Sequence, residues 1–274
     1  MAKFKEFVKK NKSFCVFAIL AILIILVAIL APVLATHDPY EAVLADAIQK
    51  PSAEHWFGTD KLGRDIYSRI LYGARTSLSA AIILVAIIVV VGTILGLVAG
   101  YFGGWVDAVI MRIADMMISF PGTVLAISVA GILGANMVNA IIAIALVSWT
   151  KYARLARSMV LKIRNRDYVA AAQVTGSKHG YILRKYMLPN ALPTLVITGA
   201  TDIGSMMLEI AGLSFLGFGA QSPTAEWGLM LNEGRAYMTS APWLMIFPGL
   251  AIFITVVVFN LLGDSLRDVL DPRS

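Results

Sequence analysis

The sequence predicts an all-α membrane protein of about six transmembrane helices with both termini on the cytoplasmic side. Three observations predict it. Of the 274 residues, 58% are hydrophobic and only 15% charged, whereas a soluble domain carries roughly 25% charged residues. The apolar residues gather into runs, most of them near the length of about 20 residues that crosses a bilayer as a helix. Lys and Arg fall in short blocks beside those runs, as orientation signals do. At a mean hydropathy of +0.78 there is too little polar surface to cover a globule in water, so lipid is the main solvent.

The first run, residues 14–34, follows the bases Lys3, Lys5, Lys9, Lys10 and Lys12. It exceeds the 7–15 residues or so of a signal-peptide core and reads as a retained anchor. Five further runs follow at 78–101, 113–133, 138–149, 192–218 and 244–262. They are continuous, without the alternation of barrel strands, so helices are expected. With the N-terminus inside, seventeen of the 23 bases lie on cytoplasmic segments and six outside, which supports N-in and C-in. The chain divides into an N-terminal anchor with an external segment, 1–76, and a membrane domain, 77–274, that contains a long basic cytoplasmic loop at 151–190. A short amphipathic helix is expected at 66–72. A smaller external loop, 220–242, carries Glu226 and Trp227, expected either to meet an external partner or to rest at the membrane interface.

The net charge of +6 comes without a basic face interleaved with aromatics, which excludes nucleic acid as a partner. The single Cys15 has no partner for a disulfide. No G-x-x-x-x-G-K-[ST] cradle occurs, since Gly176-Ser177-Lys178 lacks the first Gly and the spacing. His37, His55 and His179 fall on both sides of the membrane and read as ordinary loop histidines, leaving any metal site unknown.

Four glycines, Gly92, Gly96, Gly100 and Gly104, recur every fourth residue along the second run. They form a flat strip that admits another backbone, in the same chain or in a second subunit. Asp202 and Glu209 stand seven apart in the fifth run, so they share a helix face two turns apart, with Met206 between. Acidic groups inside a membrane are costly and usually functional or paired. The three are candidates to line a polar pathway; the alternative is an Asp near the membrane end and packing Met.

The cytoplasmic loop reads Asp167-Tyr168-Val169-Ala170-Ala171-Ala172-Gln173-Val174-Thr175-Gly176 and ends Tyr186-Met187-Leu188-Pro189-Asn190. Ala-rich sequence favours a helix that Gly176 stops. A second short helix is expected at 178–187, closed by Pro189. Such a hairpin is a compact cytoplasmic knob, or simply a positively charged retention loop.

This pattern resembles the E-A-A…G…L-P loop of binding-protein-dependent ABC importer permeases, with Ala171, Ala172, Gly176, Leu188 and Pro189 on the motif and Ala170 where Glu is usual. The segment Gly58-Thr59-Asp60-Lys61-Leu62-Gly63-Arg64-Asp65 resembles the G-T-D-x-x-G-R-D signature of the peptide/nickel/opine subgroup. So do Leu213-Ser214-Phe215-Leu216-Gly217, Phe259-Asn260-Leu261-Leu262-Gly263-Asp264 and the tail Leu270-Asp271-Pro272. The match is to its C-type permease. The resemblance implies a type I importer fold whose coupling helix seats in an ATPase subunit, and alternating access by rigid-body rocking. It implies a second, B-type permease, two ABC ATPases and an extracellular or periplasmic solute-binding protein as partners. It also implies no cofactor on this chain, ATP and Mg on the ATPases, and residence in a bacterial or archaeal inner membrane. The surroundings of Asp202 and Pro223-Thr224-Ala225-Glu226-Trp227 resemble nickel permeases more than peptide ones, so nickel or a nickel chelate is the expected solute, with di- or oligopeptides as the alternative. A stand-alone secondary transporter or a membrane scaffold stays open beside these; the first tends to show an inverted repeat, and none is visible.

Overall fold

A computed structural model describes residues 11–270, which are helical with short connections and hold no β-strand beyond one isolated bridge, Thr59 to Asp65. The bases Lys3, Lys5, Lys9 and Lys10 and the Asp271-Pro272 tail lie outside these residues.

Helix α1, Lys12–Leu34, is apolar all round. Its buried residues are Ala21, Ala28 and Ala31, one narrow stripe facing α2 and α10, and the rest of its surface is left to lipid. Helix α2, Ile66–Phe102, runs 37 residues, about 55 Å at 1.5 Å per residue. Asp65 caps it by accepting the Ser68 N–H at 2.8 Å. The short helix expected at 66–72 is therefore the outer end of α2, which overruns the hydrocarbon core of about 30 Å. The 76/77 division falls inside this helix. Gly103 and Gly104, at φ +64° and +53°, end it and turn the chain into α3, Gly104–Ile118; only glycine takes two consecutive left-handed residues at little cost.

The run expected to be continuous at 113–133 is broken. Helix α3 stops at Ile118, and α4, Gly122–Leu133, leaves at 92° to it. Pro121 explains the break, because it lacks an N–H and disfavours helical backbone at Phe120. Helix α5, Met137–Ile163, is 27 residues long, beyond the expected 138–149. Among the described residues four helices are long and apolar enough to span a membrane, five if the bent pair is one span. The sequence alone suggests about six. The difference lies in α3–α4 and in α5, whose second half carries Lys151, Arg154, Arg157 and Lys162.

A small knob follows, with α6 at Asp167–Val174 and α7 at His179–Ile182. The chain then passes through a π-helical turn, Leu183–Met187, into α8, Leu188–Phe215. The expected stop at Pro189 does not occur. A wider π turn just ahead of Pro189 accommodates the missing N–H and the bulk of the ring, so His179–Phe215 is one 37-residue span. Helix α9, Trp227–Gly234, lies outside the spans, and α10, Trp243–Leu270, closes the bundle.

Close approaches set the directions of packing. An added Cβ at Gly92 would sit 2.5 Å from the Trp149 carbonyl and from Tyr152 Cβ. At Gly96 it would meet Ala153 and Ala156, and at Gly100 Val160 at 2.8 Å. Helices α2 and α5 thus run parallel, backbone against backbone. Gly104 is outside this strip: it lies in the turn after α2 with nothing within 4 Å of a Cβ. On α8, Gly204 meets Val256 and Asn260 while Thr201 meets Gly263, so α8 and α10 are antiparallel.

At the outer end, segment 36–65 and α9 are clamped together by buried ions. Arg64 pairs with Asp60 at 2.6 Å and with Glu233 at 2.9 Å. Arg69 donates to the Pro39 carbonyl at 3.0 Å and to those of Pro223 and Thr224 at 3.3 Å. Glu226 and Trp227 are neither docking residues nor an interface belt, because both are buried. Glu226 caps α9 through the N–H groups of Gly228 and Leu229 and accepts the Ser77 hydroxyl. Burial pushes its carboxyl up, and those donors offset part of the rise. Trp227 Nε1 donates to the Ile70 carbonyl at 3.0 Å.

Replacing Gly96 with Leu should force α2 and α5 apart and lower stability by about 3 kcal/mol or more. Gly131→Ala, where the nearest atom would be an ordinary 3.6 Å away, should leave it unchanged. Thermal unfolding of the two variants in nanodiscs checks this, and equal midpoints would rule out the close seam.

Candidate functional site

Three of the four predicted glycines, by bringing α5 against α2, decide where the side chains of α5 point. Tyr152, with its Cβ opposite Gly92, is fully buried and donates its hydroxyl to Asp202 Oδ2 at 2.8 Å. Lys151, one residue earlier, donates to both Asp202 oxygens at 2.8 and 2.7 Å. Asp202 is thus held by one helix from two sides, its charge answered by Lys151 and a further hydrogen bond supplied by Tyr152. Lys151 stays 57% exposed while Asp202 is 10% exposed, so the ammonium can leave without unfolding anything.

This pair borders a cavity of about 450 Å³ lined mainly by α3, α5 and α8, with Ile88 of α2 and Gly122 of α4 at its edge. Asp202, Met206 and Glu209 all face it, together with Met117, Ser148 and Ser205. Glu209 makes no salt bridge among the described residues and is half-buried. The arrangement offers a cation, an anion held by that cation, and a second anion one cavity wall further on. That combination can exchange partners with a solute carrying both signs of charge.

Two residues of this site escaped the sequence reading. Lys151 counted there as the first base of the cytoplasmic loop, and Tyr152 was unremarked. The available signal was the helical continuity of 137–163, in which Lys151, Arg154 and Arg157 recur every third residue and so lie on neighbouring positions of one side. Each finds an acid. Arg154 pairs with Asp115 at 2.5 Å, and Arg157 makes two bonds to Asp107 at 2.5 Å.

The knob is built on a small core of Leu97, Val160, Val169, Ala172, Ile182 and Met187. Ala172 is buried there, whereas Ala171 faces outward. Gly176, at φ +79°, ends α6 in a Schellman arrangement. Its own N–H reaches the Gln173 carbonyl, and the Ser177 N–H reaches that of Ala172, both at 3.0 Å. Leu188 packs on the knob's core and Pro189 is exposed, but both sit in the first turn of α8 rather than at the tip. The outward face carries Tyr168, Ala171 and Val174, the last 89% exposed.

The histidines are not all ordinary loop residues. His55 Nδ1 lies 3.0 Å from Asp65 Oδ1, and His37 Nδ1 lies 3.9 Å from the same oxygen. The two rings, 18 positions apart in the chain, meet at the start of α2 because Asp65 caps it.

Residues 92–274 match the family described as the binding-protein-dependent transport system inner membrane component, and residues 6–51 match the N-terminal transmembrane domain of oligopeptide transport permease C. The chain is 46% identical to the dipeptide transport system permease of Alkalihalophilus pseudofirmus, over 97% of this chain and 88% of that one. It is 44% identical to the nickel transport system permease of Escherichia coli, over 86% of each. It is 49% identical to the glutathione transport system permease of Pectobacterium atrosepticum, over 81% of this chain and 74% of that one. In fold it is similar to a chain of the MetNI methionine ABC transporter in an inward-facing conformation, with a TM-score of 0.58 at 19% identity, covering 74% of this chain and 97% of that chain.

Two outcomes check the geometry. In a double-mutant cycle, Lys151→Met and Asp202→Asn should couple by about 1 kcal/mol, the scale of a part-exposed pair; thermal unfolding showing strict additivity would dissolve the pairing. Gly176→Ala should strain the turn by about 1–2 kcal/mol and speed tryptic cleavage at Lys178. An unchanged cleavage rate would show that the left-handed turn is not required.

Proposed function

Because this chain belongs to the family of binding-protein-dependent transport system inner membrane components and is a permease subunit of an ABC importer, we propose that its cavity is half of a translocation path for small zwitterions, di- or oligopeptides first among them. The family consists of non-enzymatic subunits of the bacterial inner membrane.

The observation that carries this reading is the pairing of Asp202 with Lys151 through both carboxylate oxygens. A free carboxylate in the pathway would suit a metal cation, whereas the sequence-based preference for nickel rested on resemblance around Asp202 and Pro223. With Lys151 within 2.8 Å of both oxygens, a bare dication entering the cavity meets an ammonium first. A peptide instead finds a partner for each end, its amino group toward Glu209 or Asp202 and its carboxylate toward Lys151. A second reading has its own support. Glu209, Met206 and Met117 line the same cavity, a hard and a soft ligand type together, and one relative bears the name of a nickel permease. A nickel chelate, which presents carboxylates as well as metal, fits that cavity better than the free ion.

Import needs partners. We assign the outward face of α6, with Val174 almost wholly exposed on the polar side of the membrane, to an ATPase groove that covers it. A second permease and an external solute-binding protein complete the assembly. Domain motion in the ATPases, driven by ATP and Mg on those subunits, would pass through the knob into α5 and α8, because both pack on the knob's core.

Reconstituted with its partners, the complex should accumulate labelled dipeptide only with ATP, and Lys151→Met should lower that uptake at least tenfold while leaving assembly intact. Competition with free and chelated nickel is the control. Nickel accumulation indifferent to peptide would overturn the zwitterion reading and make Glu209→Gln the next variant.

A further inference from the structure

The outer end of α2 brings together three side chains that the transport cavity does not use. Asp65 divides its carboxylate. Oδ2 accepts the Ser68 N–H at 2.8 Å as the helix cap, while Oδ1 faces the Nδ1 atoms of His55 at 3.0 Å and His37 at 3.9 Å. All three ligand atoms lie within 4.8 Å of one another. Asp65 and His55 are buried, and His37 is 36% exposed, which leaves one side for entry. The His37 backbone N–H donates to the Ser68 hydroxyl at 3.1 Å, so the loop leaving α1 is tied to the cap and its imidazole is held over the carboxylate. The ring centroids of His37 and His55 are 4.7 Å apart and tilted by 36°.

We propose that His37, His55 and Asp65 bind one first-row divalent transition cation, of the zinc or nickel type. Two imidazole nitrogens and one carboxylate oxygen are the donor set such ions take, and three protein ligands leave a fourth position for water. Ligands about 2.0–2.2 Å from a tetrahedral centre stand roughly 3.4 Å from one another. His55 and Asp65 already stand closer than that, and His37 Nδ1, 3.9 Å from the Asp65 oxygen, needs to move inward to reach about 3.4 Å from both. The Thr36 hydroxyl, 3.0 Å from His37 Nδ1, must rotate away to free the lone pair. Bound there, the ion would clamp the exit of α1 to the entry of α2. A His55–Asp65 hydrogen bond alone would leave His37 without a role, which is what the test separates. The site stands apart from the transport reading, since α2 meets the cavity at Ile88, about 34 Å along the helix from its cap.

The experiment is calorimetric titration of the chelator-stripped full chain in nanodiscs, its affinity tag removed, with Zn2+ and Ni2+ in separate runs. One ion per chain is expected, bound at least tenfold more weakly by His37→Gln, which alters only the part-exposed ligand. Asp65→Asn, which keeps an oxygen for the cap, should also bind at least tenfold more weakly. Bound Co2+ should give the visible bands of a four-coordinate site in the wild type and not in His37→Gln. Absence of stoichiometric binding in the wild type, or wild-type affinity in both variants, overturns the site.

Discussion

The α2–α5 seam is the constraint on which the rest depends. Lipid offers no hydrophobic drive to bring helices together, so close association rests on packing and on polar pairing. Gly92, Gly96 and Gly100 let the backbone of α5 lie directly on α2. That contact sets the rotation of α5 about its own axis. The rotation in turn sends Tyr152 and Lys151 toward α8, and Arg154 and Arg157 toward α3. A side chain at any of the three glycines would turn or displace the helix that carries four of the bundle's functional or paired groups.

Charge compensation is the second level of organisation. An ionic group inside a bilayer is retained only when another answers it or water reaches it. On α5 each of three bases meets an acid from a neighbouring helix: Lys151 with Asp202, Arg154 with Asp115, Arg157 with Asp107. The pairs are graded. Arg157 makes a two-pronged contact with Asp107, whereas Lys151 leans into a cavity with more than half its side chain accessible. The firm pair ties α3 to α5 near the knob, and the looser one borders the cavity, where a solute can compete for it. Stability and the proposed transport path thus draw on the same chemistry at different degrees of burial.

The outer end is built differently. Arg64 and Arg69 are 1% exposed, and they hold Asp60, Glu233 and three loop carbonyls in one network. Breaking such a network by removing one partner is costly because it strands buried charge. This rigid cap fixes segment 36–65 and α9 over the bundle, while the knob at the opposite end rests on six apolar side chains. Between them, α8 runs unbroken from knob to outer face, its π turn absorbing Pro189. A displacement at the knob therefore reaches Asp202 and Glu209 along a single helix.

The run lengths and the loop strings were enough to show a helical membrane bundle and the family it resembles, and the placement of bases gives the expected orientation. They do so because spanning length, charge asymmetry and turn chemistry are local properties that a linear pattern records. Gly176 was legible for the same reason, since a left-handed residue after an Ala-rich helix leaves its mark in one position. The partner of a side chain is not local. Asp202 read as a pathway acid or one near the membrane end, its partner unnamed; α5, continuing past Trp149, lays Lys151 and Tyr152 on it. Gly104 kept the four-residue spacing yet fell beyond the helix end, and His37 and His55 read as unrelated until the cap of α2 joined them. Composition and run length determined that this chain lives in lipid as helices. Tertiary structure alone decided which charges cancel, which glycines carry contact and which histidines meet, because each depends on helix rotation, a quantity set by packing and invisible in a sequence that is apolar on every side.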